Sequence, residues 1–244
     1  MVQTTGMNLP IAFFEISLRF ANKVAALSDQ PIEKTLLQYT NLYIRFGLGR
    51  DFSPANPIWN KYIEGIYKTE DIAKWAYNFY QVQKENFLPI PISPFGCFSY
   101  KVLPENKIRL HFHNSEPGNQ SPLHKARMDN RLSELKTMFA HIKEHVHTPT
   151  TVIGASWLYN IEAYRRLFPP KYLKTAQVQE NAFQFFPLWG QFVDRRGQIK
   201  EDISELFLER LNQQRSFDGI EKCFPFQVLA LERSVEDFYK FYGC

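Results

Sequence analysis

The segment from Lys107 to Arg166 constrains the fold more than any other. A strand, a long polar loop, a periodic helix and a second strand follow one another there in the order a βαβ unit needs. A single crossover helix makes the two strands parallel neighbours with a right-handed connection. Their C-terminal ends then lie side by side, at the sheet edge where open α/β folds bind ligands. Along Lys107–His113, period-two alternation sends Ile108, Leu110 and Phe112 to one face and Arg109, His111 and His113 to the other. The same segment holds all 6 histidines of the chain.

Around this unit the pattern changes from one end of the chain to the other. Residues 1–88 read as helical: Ile11, Phe14, Leu18, Ala21 and Ala25 repeat at helical steps behind Pro10, and a second helix is expected from Ile32 to about Phe46. A short helix around Trp59 and a longer one capped near Thr69 complete the lobe. The run Leu88-Pro-Ile-Pro-Ile-Ser-Pro94 excludes helix, because prolines remove donors and force extended backbone. It separates a helical N-terminal lobe, residues 1–88, from a mixed domain over residues 95–244. In the latter, Gly96–Leu103 and Lys107–His113 predict a hairpin, Leu132, Leu135, Phe139, Ile142 and Val146 a helix, and Thr150–Trp157 a parallel strand. A short helix over 161–168, an aromatic strand over 183–193 and helices over 203–212 and 226–241 follow. The fold class expected is α/β or α+β, a helical lobe packed on a small mixed sheet with parallel central strands.

Composition narrows the function classes. With 29 Lys and Arg against 25 Asp and Glu spread along the chain, the charge balance of +4 forms no basic block of the kind nucleic acid needs. No apolar run reaches the roughly 18 residues of a membrane span. The first 20 residues read as an amphipathic helix broken by Glu15 and Arg19, not a signal peptide. The 3 cysteines, Cys97, Cys223 and Cys244, have neither zinc-knuckle spacing nor an even count for disulfides. A cytoplasmic protein acting on a small molecule is the expectation.

Candidate site residues gather where the parallel strands end. Asn114, Ser156, Trp157, Tyr159 and Asn160 belong there beside Arg109, His111 and His113. The loop before the helix adds Lys125, Arg127 and Arg131, cations close to a helix N-terminus whose dipole attracts anions. Arg45 and Arg50, around the Gly47-Leu-Gly49 turn, offer a second basic wall. His141 and His145 stand one turn apart on the helix flank. Without a distant ligand the pair reads as a solvated edge, and no metal is expected there.

Two resemblances rest on these segments. Leu42-Tyr-Ile-Arg-Phe-Gly-Leu-Gly-Arg50, Ile108-Arg-Leu-His-Phe-His-Asn114, Ser156-Trp-Leu-Tyr-Asn160 and Ala163-Tyr-Arg-Arg-Leu-Phe168 look like a family of uncharacterised bacterial proteins. More distantly, the element order over residues 107–193, with Asn160-Ile-Glu-Ala163-Tyr164, resembles GNAT-type N-acyltransferases. That resemblance implies two parallel strands that splay to admit a pantetheine arm, and a helix N-terminus that binds the pyrophosphate of acyl-CoA. The family's glycine-rich loop is absent here, since residues 114–131 contain only Gly118. Lys125, Arg127 and Arg131 would stand in for its amides. The function expected is an acyltransferase-like protein with acyl-CoA as co-substrate and no required cofactor. His111 or His113 would be the general base, since imidazole is poised near neutral pH. Ser156 or Tyr159 would be the acid, and Arg109, Asn114, Lys125, Arg127, Arg131, Trp157 and Asn160 would hold the ligand. A non-catalytic binding protein and a metal-dependent hydrolase using His111 and His113 are the alternatives.

Overall fold

The computed structural model describes residues 8–84, 93–113, 115–116, 120–179 and 186–244. The chain divides into two compact units, residues 1–89 with 182–226 and residues 90–181 with 227–244. Its first boundary falls in the proline run, whereas segment 182–226, assigned by pattern to the mixed domain, belongs to the first unit.

That first unit is helical. Helix α1, Ile11–Ser28, buries Phe13, Phe14, Ile16, Leu18, Phe20 and Val24, and ends at Asp29 in the left-handed conformation. The helix expected from Ile32 to Phe46 is two helices, α2 Ile32–Tyr39 and α3 Leu42–Arg45. Thr40 breaks it by bonding its own backbone: Oγ1 donates to Leu36 O at 2.6 Å and accepts from Leu42 N at 3.3 Å. Helix α4, Pro57–Ile66, starts where the Asn56 side chain accepts from Ile58 and Trp59 amides. Helix α5, Ile72–Gln83, is capped by Asp71, two residues beyond the expected Thr69. The aromatic run placed as a strand over 183–193 is a 3-10 turn, Phe186–Phe192, in its described part. There Trp189 sits edge-on to Phe13, Phe20, Phe207 and Phe224, and its indole donates to Tyr39 O at 3.0 Å. Burial from several directions outweighs the alternation a strand would need. Helix α9, Glu201–Gln213, adds Phe207 and Leu211 to this core.

The second unit is built on one open five-stranded mixed sheet, ordered β1-β2-β3-β5-β4. Strands β1, Phe98–Val102, and β2, Ile108–Phe112, form the expected hairpin. Their turn holds Glu105 and Asn106 at φ 61° and 54°. Helix α6, Met128–His145, returns the chain to β3, Thr151–Ser156, which is parallel to β2 as the crossover requires. Short helices α7, Glu162–Arg165, and α8, Pro170–Leu173, lead to β4, Gln177–Val178. The C-terminal stretch expected as one helix over 226–241 is a strand followed by a helix. Leu229–Ser234 forms β5, antiparallel to β3, and α10, Val235–Tyr242, starts where Ser234 caps the Glu236 amide. Leu229 and Leu231 fit a two-residue period as well as a helical one, and pairing with β3 decides between them.

One sheet face carries Phe98, Ile108, Leu110, Val152 and Leu231, which pack with Leu135, Phe139 and Ile142 of α6 and Phe238 and Tyr242 of α10. Gly154 lies on this face because a side chain there would collide. A Cβ would stand 2.2 Å from the Tyr159 hydroxyl and 2.3 Å from that of Tyr172, and these two hydroxyls are 2.9 Å apart. Replacing Gly154 with Ala is expected to destabilise the protein by about 1–3 kcal/mol, read as a lower urea midpoint at unchanged m-value. A neutral result would mean that the tyrosine pair moves freely.

Candidate functional site at the ends of the parallel strands

The β2–β3 ladder is short. It pairs Ile108 with Val152 and Arg109 with Ile153 and then stops, although each strand runs on for three residues, 110–112 and 154–156. By contrast β3 pairs with β5 through all of Thr151–Ser156. At their C-terminal ends β2 and β3 therefore share no ladder. Extending the register puts His111 level with Ala155, and Phe112 level with Ser156.

Strand alternation distributes the predicted residues between the two sheet faces. Arg109 and His111 share the face opposite the core, with Ser99 and Lys101 of β1 beside them across the ladder. Arg109 and Lys101 are exposed, while His111 and His113 are half-buried. The His113 Nε2 lies 2.8 Å from the Ser99 hydroxyl, its amide donates to Cys97 O at 2.7 Å, and the two strand imidazoles are 6.5 Å apart. Ser99 thus orients one of the two candidate bases. Ser156, the last residue of β3, has the parity of Gly154, and its hydroxyl accepts from the Leu158 amide at 3.1 Å. Histidine and serine thus stand on opposite faces of the sheet near the strand ends. Trp157 is half-buried in the 3-10 turn Trp157–Asn160. Asn160 is a tether for that turn, donating to Trp157 O and Gln227 O at 2.8 Å each. Asn114 lies outside the described residues.

Tyr159 and the loop arginines stand in surroundings that the sequence does not announce. Tyr159 is 3% exposed, its hydroxyl is engaged by Tyr172, and burial drives its pKa well above the ordinary tyrosine value. That combination fits a core residue, not a proton donor open to a ligand. Helix α6 begins at Met128, so Arg131 lies within its first turn and is sealed, 1% exposed. Its guanidinium donates to Cys97 Sγ at 2.7 Å, to Glu134 at 2.6 Å and to Glu116. Arg127 meets the same Glu116 carboxylate. The Cys97 amide in turn donates to Glu134 at 3.1 Å, and Gly96 at φ 62° leaves room for that carboxylate, since a Cβ there would lie 2.1 Å from it. Two guanidinium and two carboxylate charges cancel in this knot. Lys125 alone of the three loop cations is exposed.

Among the described residues, Cys97, Glu116 and Glu134 form the one grouping of three His, Cys, Asp or Glu donors close enough to share a metal ion. The guanidinium of Arg131 already bonds all three, and neither strand histidine belongs to the group. Sequence reasoning missed this knot, although the Arg131 and Glu134 spacing of one helical turn is a visible trace of it. No family model, curated protein or solved structure matches this chain.

Two outcomes follow for the knot. Arg131→Ala leaves the half-buried Glu134 carboxylate without its cation, Glu116 keeping Arg127, and is expected to cost about 3 kcal/mol in chemical denaturation. A loss below about 1 kcal/mol would mean that the cluster is open to water. Glu134 responds to pH in a defined direction. Desolvation raises its pKa above the ordinary 4.5, against the lowering effects of the Cys97 amide and Arg131. A carboxyl raised in the folded state binds its proton more tightly there, so its contribution to stability falls as pH climbs from 4.5 through the folded value. Denaturation of Glu134→Gln beside wild type at pH 4 and pH 7 should therefore favour the variant more at the higher pH. The opposite trend would show that Arg131 outweighs desolvation.

Proposed function

We propose that the second unit binds an acyl-CoA in the gap between β2 and β3 and transfers its acyl group to an amine or hydroxyl. The observation that carries this reading is the parallel pair whose ladder ends after Arg109 and Ile153. A narrow acyl-pantetheine arm lying there would meet the open edges of two strands. Amide and carbonyl groups on those edges suit its two amides.

In this reading the thioester carbonyl sits level with His111 and Ser156. His111 or His113, on the face opposite the core, takes the proton of the attacking amine or hydroxyl as that atom bonds to the carbonyl carbon. The tetrahedral intermediate collapses with cleavage of the carbon–sulfur bond, and the Ser156 hydroxyl relays a proton from water to the departing thiolate, while the histidine returns its own proton to solvent. Ser99 positions His113. Of the two acids expected from sequence, Ser156 is the one at the strand end, because Tyr159 is closed in with Tyr172. Lys125 and the N-terminal dipole of α6 would face the phosphates, while Arg127 and Arg131 hold the loop through Glu116.

Calorimetry and thermal melting against CoA, acetyl-CoA and longer acyl-CoAs, with inorganic phosphate as control, test the binding step. A thioester at about 100 times its dissociation constant should add roughly 2.7 kcal/mol, which is about 5–11 °C for a chain of this size. The double variant His111→Ala, His113→Ala should keep that shift and lose about 10²–10⁴-fold in turnover. A protein whose melting ignores every CoA compound sinks the proposal. Full turnover in the double variant would remove the base assignment alone.

A further inference from the structure

The hairpin face opposite the core holds a hydroxyl and an imidazole in the arrangement of a nucleophile and its base. Ser99 is the second residue of β1, and its Oγ stands 2.8 Å from His113 Nε2. The ladder fixes its other neighbours. His111 is its partner directly across, Arg109 and His113 lie on the two diagonals, and Lys101 follows on the same face of β1. One hydroxyl is thus set among two imidazoles and two cations. Ser99, His111 and His113 are half-buried, so the group is not sealed into the core. Glu232 is the carboxylate that β5 adds to this face, level with Ile153, and Lys107 meets it at 3.9 Å.

A serine hydroxyl is a weak nucleophile until a base within hydrogen-bond reach can take its proton. With the His113 proton on Nδ1, Nε2 accepts from Ser99. The bond that orients the imidazole therefore also activates the serine. We propose that Ser99 is a nucleophile and His113 its base, in the hydrolysis of carboxylic esters that carry a negative charge. Ser99 Oγ bonds to the ester carbonyl carbon as its proton passes to His113 Nε2. The carbon–oxygen bond to the leaving group breaks, and the alcohol departs with that proton, leaving an acyl ester on Ser99. Water then attacks the same carbon and gives one proton to His113. The acid leaves as Ser99 recovers its hydrogen from the imidazole. Arg109 and Lys101 set the preference for an anionic ester, because two positive charges on one face raise its local concentration. The activity needs neither the gap between β2 and β3 nor CoA, so a protein indifferent to every CoA compound would leave it standing.

Stopped-flow release of nitrophenolate from para-nitrophenyl acetate and from its ring-carboxylated analogue, with peptide mapping of the acid-quenched protein, tests it. Wild type should show an initial burst and carry an acetyl group on Ser99. The anionic ester should acylate about tenfold faster than the neutral one, an advantage that shrinks in high salt. His113→Gln, checked for native circular dichroism and melting, should acylate about 10²–10⁴-fold more slowly. Ser99→Ala should lose the burst. Ser99→Cys keeps a nucleophile of similar size and should retain the adduct, now as a thioester that hydroxylamine cleaves. Arg109→Gln should keep its burst with the neutral ester and lose most of the preference for the anionic one. The proposal is overturned by a wild type that gains acetyl only on lysine or imidazole, by a burst that survives in Ser99→Ala, or by equal rates with the two esters.

Discussion

The parallel pairing of β2 with β3 is the constraint on which the second unit depends. It exists because α6 carries the chain back across the sheet face, and it spans only two residue pairs. The surrounding strands make so short a junction tolerable. The hairpin gives β2 five antiparallel pairs with β1, and β5 gives β3 six. Each half of the sheet thus has its own ladder, and the junction holds them together only at its base. The stacked rings of Phe139, Phe238 and Tyr242 secure the covering helices from the core side. A sheet built this way can end one ladder early without giving up the pairs its strands make with their other neighbours.

What the sequence discloses about this unit follows from how each element is stabilised. Alternation in Phe98–Val102 and Ile108–Phe112, with a turn between them, is local information, and the hairpin was legible from it. So was α6, whose Leu135, Phe139 and Ile142 all reach the core, and so was the parallel sense of β3, which follows from chain connectivity. Strand β5 was not legible. Leu229, Leu231 and Val235 satisfy a strand and a helix equally well, and the choice is made by a partner strand far away in the chain, Val152 opposite Arg233, 81 residues on, being one of the pairs. The 3-10 turn around Trp189 was hidden for a related reason, since its aromatic run reads as alternation until the rings around it are in place.

The candidate site was legible as a location and less so as a set of roles. The position of His111, His113 and Ser156 at the strand ends needed only periodicity and the crossover rule. That Ser156 faces the other way from the histidines also follows from alternation once the register is known. The engagement of Tyr159 with Tyr172 depends on Gly154, a residue whose significance lies in what it lacks. Sequence gives an arginine near a helix N-terminus the look of an anion ligand in every case. Only Glu116, arriving from the loop, and Cys97, from ahead of β1, turn Arg131 inward.

Arg131 and Arg45 set out two ways a fold can treat a guanidinium, one sealed from water and one half-buried. Around Arg131 the chain supplies the counter-charges itself, from three separate segments, and the result is a closed knot that fixes the loop to α6 and to the start of β1. Around Arg45 it supplies the Phe13 ring and, one turn earlier, the unused Asn41 acceptor. The difference cannot be ascribed to a shortage of acidic residues nearby in the chain, since Asp51 lies six positions on and accepts from the Tyr43 hydroxyl at 3.0 Å instead. An arginine with internal carboxylates is satisfied by folding alone. Arg45 keeps part of its side chain open to solvent, so water can complete what Phe13 and Asn41 leave unmet, whereas Arg131 is sealed and depends on Glu116, Glu134 and Cys97.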